Sequence, residues 1–333
     1  MDNAGNEDGI GDRELVAVSC GTSCRDNRCI TIGAIEQALE DAFGSEYAVR
    51  RCFTSRSIIG RIKRREGVAI DYVTDALERA AANGVRTLVL QPTHLLDGLE
   101  YSSVVNALAE YAGFFEQAAI GRPLLDSEQD YQAVMAAIME LMEVYDDGET
   151  AICFMGHGTK TGANAAYERM QRLLAENGCS NYYIGTVEAA PGLEDVLAKI
   201  QEKDYRRVVL RPFMIVAGDH ANNCMAGDGE DSWKSRFTAA GYEVICVVEG
   251  LGGIPAIRDI FVKHAQAAID SLKHSDRRRE GISDKREVPE ADEAVELSDN
   301  RILFEGREDI ELLTGCEGTL HLSAVAEQAD PEV

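Results

Sequence analysis

The sequence predicts an α/β protein of two similar lobes, each a mainly parallel sheet flanked by helices, with an extension at the C-terminus. Apolar runs of strand length alternate with segments of helical period, the order that folds into βαβ units. The same order of elements occurs in both halves of the chain. Beyond about residue 273 the apolar periodicity gives way to dense charge.

The first strand is "ELVAVSC" (14–20), and "ITIGAIEQALEDAFG" (30–44) follows as a helix with Ile32, Ile35, Leu39 and Phe43 on one face. "YAVRRCF" (47–53) is the second strand. A helix is expected near 71–83, stopped by Gly84, and "VRTLVLQP" (85–92) is the next strand. In the second half the strands are "TAICFMG" (150–156), "NYYIGTV" (181–187) and "YRRVVLRP" (205–212), with helices near 162–176 and 192–203. A later helical run, "AIRDIFVKHAQAAI" (256–269), contains His264. The segment 274–300 is charge-dense and reads as a linker or disordered stretch. After it, 301–325 alternates apolar residues with glycine-containing turns, which suits a small β-hairpin or a tail that orders on binding.

The two halves align as a weak repeat. "VSCGTS" (18–23) lies on "FMGHGT" (154–159), and 85–101 lies on 205–221, which sets Pro92 on Pro212, Gly98 on Gly218 and Glu100 on His220. The expected division is therefore an N-terminal lobe at 13–145, a C-terminal lobe at 146–273 and the extension at 274–333. Two such lobes facing one another leave a cleft at the carboxyl ends of their strands.

Composition narrows the function classes. The 333 residues are 45% hydrophobic and 27% charged, ample for a large core. No apolar run approaches the roughly 18–20 residues of a membrane span. The N-terminus lacks the basic-then-apolar order of a secretory signal, so a cytoplasmic location is expected. Acidic residues outnumber basic ones 58 to 33, a net charge of −25. Such a surface repels nucleic acid and anionic membrane, and neither is expected as a partner; a homo-oligomer stays open. The nine cysteines read as reduced thiols. Cys20, Cys24 and Cys29, the close group, fit no zinc or iron–sulfur spacing.

Three polar residues follow predicted strands of the second half: His157 in "MGHGT", Glu188 in "TVEAAPG" and His220 in "AGDHANN". In a parallel sheet all three emerge on one carboxyl edge. Two imidazoles and a carboxylate suit a divalent first-row metal and leave positions open for a substrate. Taken singly, each has a structural alternative. His157 could belong to a phosphate loop, although "GHGTKTG" has neither the Walker nor the dinucleotide spacing. Glu188 could serve the start of the helix that opens with "PGLEDVL". His94 leaves the matching strand of the first half and is a further candidate, whereas His264, His274 and His321 are expected to have no catalytic role. A basic cluster, Arg56, Arg61, Lys63, Arg64 and Arg65, follows the strand ending at Phe53. It suits a ligand with several carboxylates, with Arg64 and Arg65 reading rather as a solvated helix face.

The blocks "SCGTS", "CFTSRSIIGRIKRREG", "QPTHLLDGLEY", "FMGHGT", "VEAAPG" and "RPFMIVAGDHANNCMAGDGEDSWKSRF" resemble, in order, the motifs of the anaerobic-type sirohydrochlorin cobaltochelatases, class II chelatases of cobalamin synthesis. The resemblance runs from about residue 13 to 272. It implies a chelatase-like fold of two α/β lobes around a tetrapyrrole cleft, and insertion of Co²⁺ into sirohydrochlorin without ATP. It implies His157, Glu188 and His220 as the residues that handle the metal. Fe²⁺ or Ni²⁺ insertion, and a carrier that binds without turnover, are the alternatives. Sirohydrochlorin carries eight carboxylates, which gives Arg56, Arg61 and Lys63, with His94, a substrate-binding role. Where relatives read "SFGTS" followed by an aromatic, this chain has Cys20 and Cys24, so that loop lacks an aromatic face for stacking. Cys224, near His220, is the least fitting ligand of its loop.

Overall fold

Every residue of β1 (Arg13–Ser19) after the first is buried, and a strand of that kind needs cover on both faces. It lies at the centre of a five-stranded sheet with β2 (Ala48–Phe53), β3 (Asp71–Tyr72), β4 (Thr87–Pro92) and β5 (Gln117–Ile120), in the order β3–β2–β1–β4–β5. All its pairings are parallel. Leu15 and Ala17 face one core and Val16 and Val18 the other, the alternation a pleated strand imposes. The computed structural model describes residues 11–282 together with 301–302 and 312–313.

The helices of this lobe are α1 (Arg25–Ile30), α2 (Ile32–Phe43), α3 (Arg56–Glu66), α4 (Val73–Ala82) and α5 (Leu99–Tyr111), followed by α6 (Glu128–Met142). The apolar face expected of α2 is buried as spaced, at Ile32, Ile35, Leu39 and Phe43. The helix expected from 71 starts at Val73, because Asp71 and Tyr72 first pair with Cys52 and Phe53 as an edge strand. α5, α6 and β5 lie outside the elements expected from the sequence. α5 buries little more than Val104 and Leu108, and β5 is only "QAAI", so both signals are weak.

The second sheet repeats the plan with β6 (Thr150–Gly156), β7 (Tyr182–Thr186), β8 (Arg207–Pro212) and β9 (Glu243–Cys246), ordered β7–β6–β8–β9 and parallel throughout. Its helices are α7 (Ala165–Glu176), α8 (Leu193–Gln201), α9 (Trp233–Ala239) and α10 (Pro255–Ile282). α10 crosses back to the first lobe, where it packs on α2, α6, β4 and β5. One apolar core therefore joins Leu15 and Val89 of the first sheet to Phe154 and Val209 of the second and to Ile257 and Phe261 of α10. The helix also runs on to Ile282, into the stretch read as a linker from 274. A helix already anchored by its buried face propagates at little cost through "RRRE", residues of good helix propensity. Of the expected hairpin, Arg301–Ile302 pairs antiparallel with Leu312–Leu313; the rest of 283–333 lies outside the described residues.

One part of the repeat needs correction. Val18 pairs with Pro92 just as Met155 pairs with Pro212. Hence Cys20 corresponds to His157, not to Gly156, and Gly21 to Gly158, both with positive φ (89° and 85°). Thr22 and Thr159 then each accept a hydrogen bond from the backbone N–H two residues on, at 3.2 and 3.3 Å. A one-residue slip in small-residue loops leaves hydrophobicity matched, so composition alone misplaced it.

Candidate metal centre

The carboxyl ends of β6 and β7 set the first two residues side by side. Their ladder continues past the strands: Val187 N–H donates to Gly156 C=O at 3.0 Å, and Glu188 N–H to His157 C=O at 2.9 Å. The side chains then meet, with His157 Nε2 3.7 Å from Glu188 Oε1, each about half-exposed (49% and 51%). His157 Nδ1 lies 3.0 Å from Gly158 C=O. A carbonyl only accepts, so Nδ1 is a donor here, and in the neutral ring Nε2 is the free nitrogen that faces Glu188. Gly158 allows this turn. A Cβ there would come within 2.8 Å of Thr186 Oγ1 and 2.9 Å of Ala189 N, at a φ that side chains disfavour. Its N–H donates to Tyr167 Oη at 3.3 Å.

His220 comes from the loop after β8, at the start of a π-helical turn, His220–Met225, a rare element that recurs at functional sites. Asn222 turns its side-chain amide back to Gly218 C=O at 2.7 Å and Ala217 C=O at 3.2 Å. His220 Nδ1 sits 3.3 Å from Cys224 Sγ. Burial, and the nearby Asp219 and Glu188 carboxylates, push the Cys224 thiol up. Its sulfur faces Nδ1 and so holds the ring in orientation. The two imidazoles meet edge to face, centroids 4.8 Å apart at 71°. One ligand atom from each of His157, Glu188 and His220 lies within 4.8 Å of the others. Three convergent donors open to solvent can take a divalent ion and leave coordination positions free.

The remaining sequence candidates are dispersed. Arg56, Arg61 and Lys63 lie exposed along α3, with the Arg56 guanidinium 3.8 Å above the Tyr72 ring. Arg65, read as a solvated face, is exposed and also reaches Ser23 C=O at 3.3 Å. It lines a cavity of about 360 Å³ between the lobes with Thr22, Cys24, Gly218 and Asp219. His94 sits apart from the three-residue centre: its ring is only 4% exposed and lies 3.5 Å from Glu100 Oε2. His264 belongs to α10, where it reaches Asp130 Oδ1 at 3.1 Å and Arg122 C=O at 3.2 Å. Sequence reasoning missed Tyr167 and the orienting role of Cys224; the i, i+4 spacing of His220 and Cys224 was the available signal for the latter.

Two similar parallel-sheet lobes with a metal-competent residue set on one carboxyl edge define a chelatase-like protein. Among solved structures the chain resembles "SirB from Bacillus subtilis with Fe3+" at TM-score 0.53 and 12% identity, covering 80% of this chain and 98% of that one. At that identity the likeness speaks for the fold alone. The model of the cobalt chelatase (CbiK) family matches residues 13–270, and the chain belongs to that family. It is 36% identical over 258 residues to the sirohydrochlorin cobaltochelatase of Salmonella typhimurium, covering 78% of this chain and 97% of the relative. It is 32% identical over 230 residues to sirohydrochlorin cobaltochelatase CbiKC of Nitratidesulfovibrio vulgaris, covering 67% and 79%. No helix among the described residues is long and apolar enough to cross a membrane.

Proposed function

We propose that this protein inserts Co²⁺ into sirohydrochlorin without ATP, holding the ion at His157, Glu188 and His220. The observation that carries this is the convergence of those three ligand atoms within 4.8 Å in a member of a cobalt chelatase family. Insertion removes two pyrrole protons and replaces water around the ion with macrocycle nitrogens. Nε2 of His157 is the bare nitrogen of its ring, able to ligate the ion or to take a proton. The Glu188 carboxylate, 3.7 Å away, offsets the charge of the dication and relays the second proton. An open three-residue set releases the ion to the macrocycle, where a closed tetrahedral one would keep it. Arg56, Arg61 and Lys63 on α3 supply cations for the substrate's carboxylates, and Arg65 adds one at the cleft itself. His94, only 4% exposed, is left out of this reading.

The test is the anaerobic absorbance change of sirohydrochlorin with Co²⁺, Fe²⁺ and Ni²⁺. The expected result is enzyme-dependent acceleration, fastest with Co²⁺, and a loss of about 10²–10⁴-fold in His157→Ala and His220→Ala. A rate that the protein leaves unchanged with every metal would mean binding without turnover. Fastest insertion of iron or nickel would reassign the physiological metal.

A further inference from the structure

We propose that Cys20, His94 and Glu100 form a second site for a first-row divalent cation, in the N-terminal lobe. The corrected register puts Cys20 at the position of His157, and the Pro92–Pro212 correspondence puts Glu100 at that of His220. Ser55, two residues beyond Phe53, stands where Glu188 stands two beyond Thr186. In this lobe the third donor comes instead from His94, just past β4. The same strand-end geometry thus assembles donors twice, with different residues.

The local chemistry points to a ligand. One ligand atom of each residue lies within 4.8 Å of the others; Cys20 Sγ is 2.5 Å from Glu100 Oε2 and His94 Nε2 is 3.5 Å from it. The ligand atoms of a tetrahedral ion with bonds of about 2.0–2.3 Å lie roughly 3.5 Å apart, within reach of small side-chain rotations. His94 is the independent sign. Its side chain is 4% exposed, and neither ring nitrogen hydrogen-bonds to any described residue. A buried imidazole left in that state lacks a partner that a metal ion would supply. Glu100, 58% exposed, leaves one side of the cluster open. A cavity of about 110 Å³ beside it, lined in part by Thr54, Tyr72 and Ser103, has room for water as a remaining ligand.

Thiolate, imidazole and carboxylate together select borderline ions such as Zn²⁺ and Co²⁺ over Mg²⁺ or Ca²⁺. On binding, the Cys20 thiol gives its proton to solvent and its sulfur pair to the ion. With a thiolate and a buried ring, this site retains its ion, in contrast to the open set in the other lobe.

The experiment titrates the full-length protein with Co²⁺ alone, under reducing anaerobic conditions, following metal stoichiometry and near-ultraviolet thiolate-to-cobalt absorption. Two ions per chain are expected, one carrying the thiolate band. Cys20→Ser should lose the band and one equivalent, whereas a His157→Ala/His220→Ala double variant should keep the band and lose the other. Glu100→Ala, at an exposed position that does not threaten folding, should weaken the band-carrying ion about tenfold or more. A single equivalent without the band in the wild type, or a band that survives Cys20→Ser, overturns the proposal.

Discussion

At the residue scale the candidate centre depends on atoms that touch no ligand. Cys224 holds Nδ1 of His220 at 3.3 Å, and removing an orienting partner of this kind costs about 10–100-fold in metal affinity or activity. Cys224→Ala is therefore expected to lower the insertion rate by about that factor while thermal unfolding stays close to wild type; equal losses in both would make it a packing residue. Gly158 is the more brittle point. Gly158→Ala must adopt φ near 85° against Thr186 and Ala189, which costs about 1–3 kcal/mol. Urea unfolding should show that loss, and the rate should fall with it, because the same turn carries His157. The three metal-competent residues were legible in sequence because each follows an apolar run directly or after a short loop. Cys224 and Tyr167 were not, since their roles are contacts that only the folded loop creates.

At the element scale the long C-terminal helix is pinned by a polar contact as well as by its apolar face. His264 on α10 meets Asp130 at the start of α6 at 3.1 Å, and Ser127 N–H donates to the same carboxyl at 2.8 Å. Burial works to raise the Asp130 pKa, but the imidazole and the Ser127 bonds outweigh it and hold the carboxyl below its ordinary 3.8. A depressed carboxyl is protonated sooner in the unfolded chain. Its contribution is thus present above that ordinary value and lost as pH falls below it through the folded one. Urea midpoints should drop between neutral pH and about pH 3, and drop less in Asp130→Asn; an identical acid loss in the variant would remove this contact from the account. Most strands and helices were readable from periodicity. α5, α6, α9, β5 and β9 were not, being short or weakly amphipathic, and the 71–72 edge strand is held by pairing with β2 rather than by its own residues.

At the scale of the molecule, the proposed substrate is itself a polyanion, and the chain proposed to bind it has a net charge of −25. Local cations therefore matter more than the overall field. Arg65 stands at the cavity between the lobes, opposite Gly218 and Asp219. A charge-assisted hydrogen bond lost there is worth about 1.5–3 kcal/mol, or roughly tenfold and more in affinity. Arg65→Ala is expected to raise KM for sirohydrochlorin by about that factor with kcat nearly unchanged; a fall in kcat at constant KM would place it in the chemistry instead. The shared core, with α10 returning across both sheets, makes the lobes one folding unit. Their cleft is thus carried by a continuous apolar interior rather than by a hinge between separate domains.

The sequence by itself determined the alternation of strand and helix, the two-lobed repeat and the emergence of His157, Glu188 and His220 on one sheet edge. These follow from local period and from the fact that parallel strands point the same way. Tertiary structure alone decided the return of α10 to the first lobe, the position of Arg65 at the cleft and the register that sets Cys20 in the place of His157. Each of those depends on contacts between residues far apart in the chain, which the spacing within any one segment does not encode.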